Sequence, residues 1–231
     1  RLIARLEHPH LLPVYDYNGE HDPPYIVMRY LEGGTLKDAL EMGTTIPLTD
    51  TVHIMRQVSA ALDYAHRQGV IHRDIKPSNV LIDTEGNAFL MDFGIARIVE
   101  SESGITQTGF AVGTPTYMSP EQSMGLETVD GRSDIYALGI LLFHMLAGRP
   151  PFEGENAMAI IMQQIQTEPP ALSSINSELP IAIDDVIKRV LAKNPDERYQ
   201  TATELATDLA RAANLPTDST PTAIKATAQS A

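Results

Sequence analysis

The sequence predicts an α+β chain, mostly helical with a little β structure at its front. Three observations carry that reading. Residues 49–68 place Val52, Ile54, Met55, Val58, Ala61, Leu62 and Ala65 at helical spacing, the apolar face of a long amphipathic helix. Residues 135–146 are apolar apart from Gly139 and His144. That run falls short of the ~20 apolar residues of a membrane span, so a buried core helix is expected. Ahead of Asp92 the remaining apolar runs are short and separated by polar turns, as strands are.

In chain order, Leu2, Ile3 and Leu6 share a helical face that His8-Pro9 ends. Residues 11–17 and 25–30 are expected as strands around a polar turn over 18–24. Gly33-Gly34 is expected to break the chain before a short helix over 36–40. The long helix over 49–68 stops at Gly69. Small strands follow at 70–71, 80–82 and 88–91. Residues 101–113 are rich in Ser, Thr and Gly without a period, a mobile loop. Helices are expected over 133–147, 184–192 and within 196–211. Beyond Asn214 the Pro, Thr, Ser and Ala residues carry no core pattern, and a disordered linker is expected there.

Composition narrows the function. The chain has 231 residues, 43% of them hydrophobic, enough for a sizeable core. Its 17 Lys and Arg against 30 Asp and Glu give a net charge of −13, the wrong sign for a nucleic-acid binder. With no Cys there is no disulfide framework, thiol nucleophile or zinc–thiolate site, which suits a cytoplasmic location. Residues 1–6 read like the middle of a helix and show no signal-peptide pattern, and no apolar run is long enough to span a membrane, so no membrane contact is expected from this segment.

The chemistry concentrates in residues 70–82, VIHRDIKPSNVLI, followed by Asp92-Phe93-Gly94. Asp74, Lys76 and Asn79 share one loop between apolar runs. An Asn and a second Asp, Asp92, make an all-oxygen donor set of the kind hard Mg²⁺ prefers, with waters and phosphate oxygens completing its shell. Asp74 would sit apart from the metal, able to accept a proton. Taken singly these residues have plainer readings: His72 as a core histidine, Asp74 as a turn or cap residue, Asp92 as a turn carboxylate before Gly94.

Taken together they resemble the eukaryotic-like (Hanks-type) serine/threonine protein kinases, and the bacterial ones in particular. His72-Arg73-Asp74 with Asn79 matches the catalytic loop, with Ile75 where the common pattern has Leu, and Asp92-Phe93-Gly94 matches the metal-binding turn. Ser119-Pro120-Glu121 matches the A-P-E position with Ser for Ala. Residues 113–121 resemble the segment that receives the substrate peptide, and 130–139 the start of the large lobe's central helix. The motifs run in the family's order up to about Arg211.

The resemblance implies a protein-kinase-like fold, mainly the helical C-terminal lobe with a remnant of the small β lobe. Residues 1–30 would be that remnant, 31–212 the hinge and large lobe, and 213–231 the linker. It implies ATP and Mg²⁺ or Mn²⁺ as cofactors and protein Ser/Thr hydroxyls as acceptors. Asp74 would orient the hydroxyl and take its proton, Asn79 and Asp92 would hold the metal, and Lys76 would neutralise the γ-phosphate, with Thr114 bridging Asp74 and Lys76. Met28 would be the gatekeeper, backbone groups near Arg29 and Leu31 would bind the adenine edge, and Leu81 would pack under the ring. His72 would pack on Phe93, Arg198 would pair with Glu121, and Asp134 would hold structure as a buried carboxylate. Phosphate on Thr106 or Thr108 would add roughly −1.5 to −2 charge facing Arg73, and autophosphorylation there, through a homodimer, is expected.

The Gly-rich loop, the ATP-binding Lys and its helix Glu are not in this sequence, so it is expected to be a fragment that starts inside that helix and transfers phosphate weakly or not at all. A membrane anchor beyond residue 231 would fit the linker composition. The alternative is a pseudokinase or scaffold, which would have no need of Asp74, Asn79 and Asp92 together.

Overall fold

The structure, a computed structural model, describes residues 6–19, 21, 23–40, 44–93, 115–126 and 129–216. Among them are five strands and seven α-helices, an α+β arrangement as expected. β1 (Val14–Asn18) and β2 (Tyr25–Met28) form an antiparallel ribbon. The second sheet has the order β3-β4-β5, all antiparallel, from β3 (Gly33–Thr35), β4 (Val80–Asp83) and β5 (Ala88–Leu90). The helices are α1 (Leu36–Leu40), α2 (Leu48–Arg67), α3 (Pro120–Ser123), α4 (Gly131–Ala147), α5 (Ala157–Gln166), α6 (Ala182–Val190) and α7 (Ala202–Ala212).

α4 is the axis of the helical body. Every residue from Ser133 to Phe143 is buried, which explains a sequence that is apolar all round rather than on one stripe. Asp130 caps its first turn by accepting from Arg132 N (2.8 Å). Gly148, in the left-handed region at φ 72°, ends it. Gly139 lets α4 approach α6 closely, because a Cβ there would lie 2.6 Å from Val190 Cγ1. α2 buries the apolar stripe its spacing predicts and ends in a Schellman pair, with Gly69 N donating to His66 O and Val70 N to Ala65 O. Buried Asp63 of α2 accepts from Ala202 N (2.8 Å) and Thr203 N (2.9 Å), and the Thr201 hydroxyl accepts from Glu204 N, so the carboxylate and the cap together satisfy the first turn of α7.

Glu121 and Arg198 meet as a buried bidentate pair, at 2.8 and 2.9 Å. All five guanidinium N–H groups are used, because Nε donates to Ala192 O, Nη1 also to Arg132 O and Nη2 also to Lys193 O. The Ser133 hydroxyl donates to the same Glu121 carboxylate. Burial pushes the Glu121 pKa up, but the Arg198 and Ser133 hydrogen bonds and the Arg198 charge outweigh it, and the net shift is downward.

Three sequence expectations need correcting. Residues 70–71 are not a strand. Val70 closes the α2 terminus, and the amides of His72 and Arg73 bond a carboxylate of α4 instead of a neighbouring strand. Gly33-Gly34 does not break the chain but opens β3, paired to Asp83 and Ile82. Gly33 has φ 148°, and a Cβ there would lie 2.0 Å from Ile82 O, so the strand requires glycine at that point. α5 was not expected at all: Met158, Ile161, Met162 and Ile165 do stand at helical spacing, but Met158 and Met162 are exposed and the one buried residue is Gln164. The remaining boundaries differ from expectation by a few residues, the first strand beginning at Val14 and the second ending at Met28. The helix expected over residues 2–6 rests on residues 1–5, and these lie outside the described residues, as do the 101–113 loop and residues 217–231.

Replacing Arg198 by Ala would strand the Glu121 charge in the interior, an expected cost of about 3–5 kcal/mol. Urea unfolding followed by circular dichroism measures it, and a loss under about 1 kcal/mol would contradict the described pairing.

Candidate active site

The loop after α2 carries Asp74, Lys76 and Asn79, and its shape is imposed from α4. His72 N donates to Asp134 Oδ2 (2.8 Å) and Arg73 N to Asp134 Oδ1 (2.7 Å). His66 of α2 lies 2.8 Å from the same carboxylate. These bonds hold Arg73 in the left-handed region, φ 68°, an uncommon conformation for a residue with a Cβ. The chain then turns so that Asp74 faces solvent while Ile75 is buried. Gln122 of α3 fastens the other side of this turn, donating from Nε2 to Arg73 O (3.0 Å).

His72 is fully buried and uses both ring nitrogens. Asp74 N donates to Nδ1 (3.3 Å), so the proton sits on Nε2, which donates to Met91 O (2.8 Å). The ring lies 4.6 Å from that of Phe93, as expected. Burial lowers the His72 pKa more than its neighbours Asp134, Asp74 and Asp92 raise it, so the imidazole is neutral. His72 thereby ties the loop to the segment that carries Asp92.

Lys76 Nζ donates to Asp74 Oδ2 (2.6 Å). Asn79 Nδ2 donates to Asp74 O (2.7 Å) and reaches Asp74 Oδ2 (3.2 Å). The amide is thus oriented by its nitrogen, and its oxygen is directed away from the Asp74 carboxylate. Asn79 O accepts from Met91 N (3.0 Å), a second tie to the Asp92 segment. Asp92 also has positive φ, 63°. Burial raises its pKa, the nearby Asp74 charge raises it further, and His72 and Lys76 partly offset both. A carboxylate held where its own charge is disfavoured is the kind of oxygen donor a hard divalent cation takes, and the Asn79 amide oxygen is of the same kind. Among the described residues no three His, Cys, Asp or Glu side chains converge as a metal cage, so phosphate and water oxygens would have to complete the shell.

Other predicted residues are placed as follows. Met28 ends β2 opposite Val14. Arg29 N donates to Pro13 O (2.9 Å), and its guanidinium lies 6.0 Å from the Phe89 ring. Leu31 follows in the link to β3, and Leu81 lies in β4 between Thr35 and Phe89. An apolar cleft lined by Leu6, Leu12, Val14, Leu90 and Phe93 adjoins Asp92. Gly94, Thr106, Thr108 and Thr114 lie outside the described residues. Sequence reasoning missed His66 and Gln122. Gln122 had a signal, the S-x-x-Q capping box that Ser119 begins. His66 had none, because its partner lies 68 positions away.

A family model described as protein kinase domain matches residues 1–209. The chain is 40% identical over 213 residues to serine/threonine-protein kinase PknB of Mycobacterium leprae, covering 90% of this chain and 34% of that protein. It is 41% identical over 213 residues to PknB of Mycolicibacterium smegmatis, covering 90% of this chain and 34% of that protein. Against serine/threonine-protein kinase PrkC of Bacillus subtilis it is 41% identical over 206 residues, 89% of this chain and 32% of that protein. The chain therefore spans about a third of the length of these curated relatives.

Burial holds five histidines, His8, His10, His53, His72 and His144, below their ordinary pKa. Once unfolded they take up protons near pH ~6.5, so below that pH the unfolded chain binds more protons than the folded one. Stability is retained above about pH 6.5 and falls as the pH drops through it. The urea midpoint, read by circular dichroism, should decline between about pH 7 and 5.5; a flat profile there would contradict neutral burial of His72.

Proposed function

The chain belongs to the protein kinase family, and from that premise we propose that the full-length protein transfers the γ-phosphate of ATP to Ser and Thr hydroxyls of protein substrates. The observation that carries this reading is the exposed Asp74 carboxylate, held from both sides by Lys76 and Asn79. It is open to a substrate hydroxyl yet fixed in orientation. As the acceptor oxygen bonds to the γ-phosphorus, its proton passes to Asp74 and the bond to the β-phosphate oxygen breaks, leaving ADP. Lys76 lies beside that carboxylate, able to neutralise charge on the transferred group. The relatives' own names, serine/threonine-protein kinases, support hydroxyls of Ser and Thr as acceptors.

Asn79 and Asp92 would hold Mg²⁺, which when bound neutralises phosphate charge. Mn²⁺, another divalent ion that accepts carboxylate and amide oxygens, would suit the same donors. The adenine would lie between Met28 and Leu81. The Arg29 amide is occupied by Pro13, which supports its carbonyl, with the Leu31 backbone, as the group facing the base edge. Residues 113–121 would receive the peptide. Thr106 and Thr108 are proposed as autophosphorylation sites, exchanged within a homodimer. No carboxylate among the described residues pairs with the Arg73 guanidinium, which supports Arg73 as the partner for such a phosphate. No helix among the described residues is long and apolar enough to cross a membrane, and the kinase portion is proposed to act in the cytoplasm.

In the full-length protein, Asp74→Asn should lower phosphoryl transfer in a radiolabel assay by about 10²-fold or more with the fold intact. Asp92→Ala should abolish turnover that depends on added Mg²⁺. An unchanged rate for Asp74→Asn would rule out its role as base.

A further inference from the structure

The turn Pro115–Tyr117, within the segment proposed to receive the peptide, is held by a polar key from α5. Gln164 is the single buried residue of that helix and is fully inaccessible. Its Nε2 donates to Thr116 O (2.7 Å) and Pro115 O (3.3 Å). Its Oε1 accepts from the Tyr136 hydroxyl (2.6 Å) on α4. Two carbonyls can only accept, so the amide orientation is fixed by chemistry and every polar atom of the side chain is used. Tyr136 is itself locked. Its hydroxyl accepts from Lys193 Nζ (3.3 Å), and the Arg198 guanidinium lies 4.8 Å from its ring centroid. The turn is gripped a second time through Tyr117, whose hydroxyl lies 2.7 Å from His144 Nδ1.

A buried amide is an unusual way to seat a helix, since an apolar residue would bury more cheaply. What the amide adds is direction: it fixes two successive carbonyls of the turn relative to α4, the helix whose Asp134 also fixes the catalytic loop. We propose that Gln164 is a positioning residue for the protein substrate, holding the 115–117 turn in a set place relative to α4, which also holds the loop of Asp74. The inference rests on the functional reading above. Nucleotide contacts proposed at Met28, Leu31 and Leu81 share no element with this key, so its loss should weaken peptide binding alone.

The test is steady-state phosphorylation of a Ser/Thr peptide by the full-length protein. Gln164→Leu, close in size but without hydrogen bonds, should raise the peptide KM about tenfold, with kcat changed less than about twofold and the KM for ATP unchanged. Tyr136→Phe deletes only the hydroxyl and leaves both carbonyl bonds to Gln164, so it should raise the peptide KM in the same direction by less. If Gln164→Leu does not fold, Tyr136→Phe decides alone. An unchanged peptide KM in a folded variant overturns the inference, and so does a loss shared equally by kcat and the ATP KM. A wild-type protein that phosphorylates no peptide overturns the functional reading instead, and this inference falls with it.

Discussion

One carboxylate organises the site. Asp134 sits in the first turn of a helix that is buried all round, and its two oxygens receive the amides of His72 and Arg73. A buried charge requires partners, and here the partners are the backbone of the loop that presents Asp74. The same bonds hold Arg73 at positive φ, an otherwise disfavoured conformation that turns Asp74 outward. The loop that carries Asp74 is therefore referenced to the helix that the core surrounds on every side. Neutral His72 and the Asn79–Met91 backbone bond extend the reference to Asp92.

The same device recurs around α4 and α2. Arg198 and Glu121 join α3 to the 192–198 segment with all five guanidinium donors used. Asp63 seats α7, and Gln164 seats the 115–117 turn. Each is a buried polar group with its bonding capacity met, and each fixes a direction that apolar packing alone leaves loose. The stability of the helical body and the geometry of the site thus share one skeleton of satisfied polar groups inside an apolar core.

Much of this was legible in the sequence because the chemistry is local. Asp74, Lys76 and Asn79 lie within six residues, and their types and order name the loop without knowledge of its shape. The long helices were legible from period and length. What escaped depends on distant partners. A strand at residues 70–71 failed because the next two amides find a carboxylate about sixty residues later rather than a neighbouring strand. Gly33-Gly34 resembles a break, yet the close approach of Ile82 makes glycine the residue that lets β3 pair. α5 had a signal in the helical spacing of Met158, Ile161, Met162 and Ile165, but the residue it buries is Gln164, which no apolar pattern selects. The role of Gln122 was also within reach, through its capping box.

The central claim is that the loop carrying Asp74 is tied to the core through two backbone amides. Native-state hydrogen exchange of His72 and Arg73 tests it directly. If Asp134 holds them as described, both amides should exchange only with global unfolding, with the same free energy as the interior amides of α4. Exchange of either at the rate of exposed loop amides, while α4 stays protected, would contradict the account.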